Sequence, residues 1–418
     1  MRGKYFLIVS VIVGLVYSQG CAKSATTQPP GTDTTQTPGT DTTQLPPVET
    51  LPPNSNYKPA FPGQTRIAGV KTVTPYKVEK IAEKLGSPFA IVGMPDGRLM
   101  VTIKSGYMEI HNADGGLVKK ITGLPEVVNR GQGGLLDVAF DPDFANNQMM
   151  YWSYSEIYQS GTLTTVAKGR LNEGSGLVEN VSVIFRATPP TASDGQYGSR
   201  LVFDKNGNLL VSVGEKYIPS ARIQAQDLNS YLGKIVRIKT DGTAVSGNPF
   251  FNQAGAKPEI YSYGHRNPDG LDINPATDGL WESEFGPRGG DEINLIEPGK
   301  NYGWPVITYG IEYSGDMVGD GIQQKAGMEQ PVYYWDPVIS PCGICFYAGN
   351  AIPEWTNNLF VGALSGQHLD RLVIKNNKIV GEERLLVDIN QRIRDVAYMN
   401  NMLFALTDVG DIYRISRN

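Results

Sequence analysis

The sequence predicts an all-β fold, a six-bladed β-propeller of four-stranded antiparallel blades, over residues 63–418. Two observations carry this prediction. From about residue 67 onward helical periodicity is nearly absent, and short alternating or apolar runs follow turn signals instead. One unit, a polar turn followed by a strand, recurs six times. The copies are MPDGRLMVTI (94–103), DFANNQMMYWSY (143–154), DKNGNLLVSVGE (204–215), NPATDGLWESEFG (274–286), PEWTNNLFVGAL (353–364) and MNNMLFALTD (399–408). Their spacing, roughly 45 to 80 residues, lies in or above the range of propeller blades. A four-stranded sheet cannot bury both faces alone, and packing sheets in a ring buries them and leaves only short edges. A β-sandwich, the other all-β arrangement, has no need of six similar units over such a length.

The chain before the repeats reads as an export and tethering segment. Arg2 and Lys4 make a positive start, and Phe6 to Tyr17 is an apolar run too short to span a bilayer comfortably. Ser18-Gln19-Gly20-Cys21 then resembles a bacterial lipoprotein cleavage site, so residues 1–21 read as a signal peptide ending at a lipid-bearing Cys21. Ser18 stands where an aliphatic residue is usual, which leaves a plain secretory signal cut nearby as the alternative. Residues 22–62 repeat PPGTDTTQTPGTDTTQLPP and offer almost no apolar side chains. Such a segment cannot offset its ordering entropy and reads as a disordered tether. The expected location is therefore outside the cytoplasm, facing the periplasm or cell surface, with the membrane touched only through the lipid anchor. Lys+Arg number 37 against 42 Asp+Glu, a net charge of -5 with no basic stripe, which excludes nucleic acid as a partner.

In a ring of blades, residues just after each repeated strand converge at one end of the central tunnel. Here they include Lys104, Glu215, Gly286-Pro287 and Thr407-Asp408, a polar set that suits an axial site. The densest stretch is GHRNPDGLDINPATDGLWESEFGPRGGDEINLIEPGKNYGWP (264–305). It joins His265-Arg266-Asn267, a strand running into Gly286-Pro287, the adjacent carboxylates Asp291 and Glu292, and Asn301-Tyr302-Gly303-Trp304. Gly and Pro at this density hold a backbone in one shape with its carbonyls turned outward. Carbonyls beside carboxylates suit a hard divalent cation, with Ca²⁺ the usual occupant. The plainer reading is a Gly/Pro turn with solvated charges. Cys342 and Cys345, in SPCGIC, read as a small disulfide or as two half-buried thiols, since no thioredoxin-like βαβ pattern surrounds them.

These residues resemble the soluble PQQ-dependent aldose and glucose dehydrogenases, the glucose/sorbosone dehydrogenase family, and most of all the periplasmic bacterial aldose dehydrogenases. The resemblance runs from about residue 67 to the end. It rests on GQGGLLD (131–137), DPDF (141–144), RLVF (200–203), the 264–305 stretch and QRIRDV (391–396). It implies a six-bladed propeller that oxidises aldose sugars to lactones, with PQQ over the tunnel mouth and an unidentified electron acceptor. It implies calcium on the main-chain oxygens of Gly286 and Pro287, and a second, structural calcium at Glu292 and Tyr302. Arg392 and Arg394 match the arginines that hold the PQQ carboxylates, and Thr407 joins the cofactor set. Arg266 and Asn267 match a pair at the reacting carbonyl and cofactor, and Gln132 matches a side chain lining the sugar pocket. The plainer alternative pairs Arg392 and Arg394 with Asp395 and Asp408 on a surface strand.

Two positions depart from the family pattern. Gln196 stands where the family has its general-base His, and His111, His265 and His368, the three histidines of the chain, all lie elsewhere. A carboxamide accepts a hydrogen bond but not a proton near pH 7. Ser365 stands where the family has a Lys that contacts the cofactor. Asp194 and Glu215 are the carboxylates near enough in sequence to replace the base. Two functions follow: an aldose dehydrogenase that is slow or altered, or a catalytically inactive propeller that binds a sugar or a cell-surface partner.

Overall fold

The computed structural model describes residues 45–418. The signal peptide, Cys21 and the first part of the tether lie outside the described residues. The chain forms six four-stranded antiparallel sheets arranged as blades, with almost no helix. Blades one to five each use four consecutive strands. The first, for example, runs outward from the axis as Pro88–Gly93, Leu99–Ile103, Tyr107–His111 and Leu117–Ile121. The sixth takes three strands from the C-terminal end and its outermost strand, Tyr76–Ala82, from the start of the domain. That strand pairs antiparallel with Ile412–Arg417, so the two ends of the domain close the ring.

All six repeated units fall on the second strand of a blade: Leu99–Ile103, Met149–Tyr158, Leu209–Val213, Leu280–Glu284, Leu359–Ala363 and Met402–Thr407. The turn of each repeat connects it to the innermost strand before it. The chemistry of these turns is local. In the third copy Asp204 accepts hydrogen bonds from the amides of Asn206 and Asn208, each at 2.9 Å, and Gly207 supplies the φ of +75° that closes the turn.

Apolar clusters fill the wedges between blades. Met100, Met108 and Ile110 of blade one meet Val138, Met150 and Trp152 of blade two, and Ile91 and Val101 meet Phe404 and Leu406 of blade six. The axis is polar instead. Arg200 bonds Asp395 at 3.0 Å and the Asp269 carbonyl at 2.7 Å, with Asp137 at 3.6 Å.

Every innermost strand carries a break in register near its N-terminal end, for example between Pro88 and Ile91, Gly198 and Leu201, and Ile393 and Asp395. A bulge disturbs the strict alternation of side chains and re-aims them. Six bulges therefore gather at one end of the tunnel.

Two expectations are corrected. The domain does not begin at residue 63, because residues 45–62 lie along blades four and five. Leu45 bridges Gly69, Glu49 bonds Arg384 at 2.9 Å, and Asn54 and Ser55 bond Asp336. Local composition is blind to partners so far along the chain. Cys342 and Cys345 are free thiols, three residues apart on one innermost strand, and buried rather than half-buried.

Candidate functional site

A cavity of about 300 Å³ opens at the bulged end of the tunnel. Its wall brings together Lys104, Gln132, Tyr197, Tyr313, Arg392 and Arg394. A larger cavity of about 620 Å³ occupies the other end of the tunnel, and none of the sequence-predicted site residues lines it.

Arg392 and Arg394 reach the cavity from the start of the innermost strand of blade six, and both donate to Asp408, each at 2.7 Å. The pairing with Asp408 expected of a plain surface strand is present, and both side chains nevertheless line the cavity. Arg394 also approaches Cys342 at 3.4 Å. Lys104 adds a third cation and donates to the Gly131 carbonyl at 3.1 Å, with burial lowering its pKa. Ser365 hydrogen-bonds Ser340, another wall residue, at 2.8 Å.

Gln132 accepts the Gln196 backbone amide through its side-chain oxygen at 2.6 Å. Gln196 itself is buried behind the wall, at a φ of +45°, and its side-chain oxygen has no partner. Its neighbour Tyr197 presents the ring that lines the cavity. Asp194 turns outward to an ion pair with Arg130 at 3.2 Å. Glu215 is buried, and burial pushes its carboxyl up to about 7 against the pull of Arg266 and Arg222. One of its oxygens has no hydrogen-bond partner. Lys216 lies on the face of Tyr197, its nitrogen 3.0 Å from the ring centroid, and burial lowers it to about 6.

Arg266 is buried too. Its guanidinium donates to the carbonyls of Phe285 at 2.9 Å and Gly286 at 2.7 Å, while its backbone amide donates to Glu284. Asn267 accepts the Gly198 amide at 3.0 Å and so fixes the start of the innermost strand of blade three. The Gly286 amide donates to Asp291 at 2.8 Å. A Cβ on Gly286 would come within 2.3 Å of the Gly289 carbonyl oxygen, so only glycine fits the turn. Thr407 is buried in the turn ahead of the last strand, where its hydroxyl accepts the Asp411 amide, and it does not line the cavity.

Glu292 and Tyr302 meet at a second, small cavity of about 10 Å³, which Glu284 and Arg266 also line. That is room for about one small occupant. The side-chain amide of Asn294 faces three carboxylates there: Glu282 at 3.1 Å, Glu292 at 3.2 Å and Glu284 at 3.3 Å. Burial first, and then the charge of Glu284, holds Glu282 and Glu292 well above the usual carboxylate range. One oxygen of Glu282 has no partner. His265, Glu282 and Glu284 bring one ligand atom each within 4.8 Å of one another. Three buried carboxylates about one amide, one of them with an unpartnered oxygen, fit a divalent cation.

The sequence had placed Lys104 near the axis without a role. Glu282 and Glu284 went unnoticed, although their alternation on one strand puts both on the same face. Tyr313 sits in a long connection without any repeat, and nothing in the sequence marks it.

The family model for "Glucose / Sorbosone dehydrogenase" matches residues 85–414. An aldose sugar dehydrogenase of Escherichia coli, YliI, is 40% identical over 345 residues, which cover 81% of this chain and 92% of that protein. The crystal structure of the E. coli soluble aldose sugar dehydrogenase in its apo form superposes with a TM-score of 0.78 at 39% identity, covering 82% of this chain and 100% of that one. The PQQ-bound aldose sugar dehydrogenase of Streptomyces coelicolor superposes with a TM-score of 0.67 at 26% identity, covering 83% of this chain and 99% of that one. With its six blades, its cation-lined cavity at the tunnel mouth and these matches, the chain belongs to the glucose/sorbosone dehydrogenase family.

Proposed function

We propose that the protein oxidises aldose sugars to lactones, with PQQ as the bound electron acceptor and calcium as its partner ion. The observation that carries this reading is the convergence of Arg392, Arg394 and Lys104 on one cavity at the tunnel mouth. PQQ bears three carboxylates, and planar guanidinium forks suit them. When bound, PQQ supplies the two-electron acceptor that takes hydride from the sugar's anomeric carbon, and calcium on the Gly286 and Pro287 carbonyls supplies Lewis acidity.

The chain's own residues do the rest. Asp408 fixes the two arginines. Gln132 spends its side-chain oxygen on the Gln196 amide, which leaves its N–H groups for a sugar hydroxyl. Arg266 holds the carbonyls of Phe285 and Gly286, which sets the turn beside the cavity. The proton of the anomeric hydroxyl needs an acceptor, and Gln196 cannot serve. Of the two carboxylates, Asp194 is tied to Arg130, whereas Glu215 has a free oxygen and a carboxyl raised to about 7. Glu215 is the acceptor in this reading, and because it does not line the cavity it takes the proton through one bridging water. The buried carboxylates around Asn294, beside the second cavity, take the structural calcium in this reading.

Gln196 favours one other reading, a propeller that binds sugar without turning it over. Reduction of an artificial dye by an aldose panel, with PQQ and Ca²⁺ added, decides between them. Turnover that needs both additions supports the enzyme. Sugar binding without turnover across a wide pH range would sink it in favour of the binding protein. The sequence of residues 1–44 further supports export with a lipid anchor at Cys21. Among the described residues no helix is long and apolar enough to cross a membrane.

A further inference from the structure

We infer that residues 45–66 form a strap that positions the Gly286–Gly290 turn for its cation. The inference rests on the calcium reading given above. The strap lies outside the stretch that the family model matches, residues 85–414. Among its contacts with the propeller, one buried carboxylate gathers several of its donors. Asp336 is 5% exposed, and its side chain accepts four hydrogen bonds from two strap residues. They come from the Asn54 amide at 2.7 Å, the Asn54 side chain at 3.0 Å, the Ser55 amide at 3.1 Å and the Ser55 hydroxyl at 3.0 Å. Arg66 closes the loop of the strap, donating to the carbonyls of Asp336 at 2.7 Å and Leu51 at 2.6 Å.

Asp336 in turn lies directly on the turn. A Cβ at Gly289 would come within 2.8 Å of an Asp336 carboxylate oxygen, and Gly289 has a φ of +86° that other residues rarely adopt. The Gly290 amide donates to the Trp335 carbonyl at 2.9 Å, and the Arg288 side chain reaches Asn54 at 3.3 Å. A Cβ at Gly286 would in turn come within 2.3 Å of the Gly289 carbonyl oxygen. The strap is thus linked to Gly286 through two places where the chain leaves no room for a side chain, Asp336 against Gly289 and Gly289 against Gly286. Without the strap, a buried carboxylate would lose all four of these donors. A carboxylate that loses its donors turns to water, and the side chain that stands against Gly289 is then no longer held in place. Asn54, Ser55 and Asp336 are therefore positioning residues. In the calcium reading they steady the backbone whose Gly286 and Pro287 carbonyls would take the cation, the first of which also accepts from Arg266.

The test compares the full chain with two variants, the double substitution Asn54→Ala/Ser55→Ala and a deletion of residues 45–57. Hydrogen exchange at the Arg288 and Gly290 amides is followed without calcium. The calcium dependence of PQQ absorbance is then titrated with calcium chloride, so that only a cation coupled to the quinone counts. The deletion should exchange these amides at least about tenfold faster and need about tenfold more calcium; the double substitution, which removes two of the four donors, should move both readouts the same way by about threefold, with the calcium-free melting temperature within a few degrees of the parent. Unchanged exchange would overturn the inference, and so would faster exchange with unchanged calcium demand. If the deletion variant does not fold, the double substitution decides, since it keeps the strap backbone. A full chain whose PQQ absorbance ignores calcium would sink the calcium reading instead. That result stands apart from a failure of the strap, because the exchange measurement needs no cation.

Discussion

Asp408 accepts one hydrogen bond from Arg392 and one from Arg394, each at 2.7 Å, and so ties two cavity-lining guanidinium groups to one carboxylate. Replacing both arginines with Ala should abolish PQQ binding and leave the β signal in circular dichroism intact. Asp408→Asn keeps both cations but loosens them, and should weaken PQQ about tenfold, the cost of one charge-assisted hydrogen bond. A double-Ala variant that binds PQQ as tightly as the parent would move the cofactor elsewhere.

Restoring the family's base tests the chemistry at position 196. Gln196→His supplies an imidazole with an unperturbed pKa near 6.5 and should raise aldose oxidation by about 10²-fold, the lower end of a positioned base's worth. Gln196 is buried and its side-chain oxygen lacks a partner, so the new ring starts without an orienting hydrogen bond. A gain under about tenfold, with cofactor bound, means that another group already takes the proton.

Glu215 gives that alternative a pH signature. Its working form as a base is the carboxylate, so the parent's rate should climb with pH through about 7 and then level off. Glu215→Gln should lose that limb and about 10²-fold in rate. Stability should move the opposite way. The folded carboxyl holds its proton more tightly than the unfolded one, at about 7 against 4.5. Its contribution is complete below 4.5 and lost as pH rises through 7. The Gln variant should therefore gain about 3 kcal/mol of stability on the parent at pH 8, read as a higher melting temperature, and nothing at pH 4. Identical pH–rate profiles for the two proteins would remove Glu215 from the reaction.

The buried carboxylates around Asn294 should respond to calcium. Chelation should lower the parent's melting temperature by several degrees. Glu292→Gln should melt lower than the parent in calcium and close to it in chelator, because the cation's contribution to stability is lost in both. A Glu292→Gln protein still stabilised by calcium to the parent's extent would leave the small cavity without a cation role.

The sequence alone determined the propeller. Six turn-and-strand repeats are local patterns: an Asp or Asn that bonds its own turn, a Gly at positive φ, then an apolar run, as in Asp204 to Val213. It also marked Arg392, Arg394 and Gln132, which line one cavity although about 260 residues separate Gln132 from the arginines. The tertiary structure decided which neighbours face that cavity. Just ahead of the innermost strand of blade three the chain turns through a left-handed residue, Gln196 at a φ of +45°, and Tyr197 reaches the wall while Gln196 and Glu215 do not line it. The tertiary structure also turned the end of a tether into a strap. Asn54 and Ser55 carry no local signal, because their partner Asp336 lies some 280 residues further on and only the closed ring brings it to them.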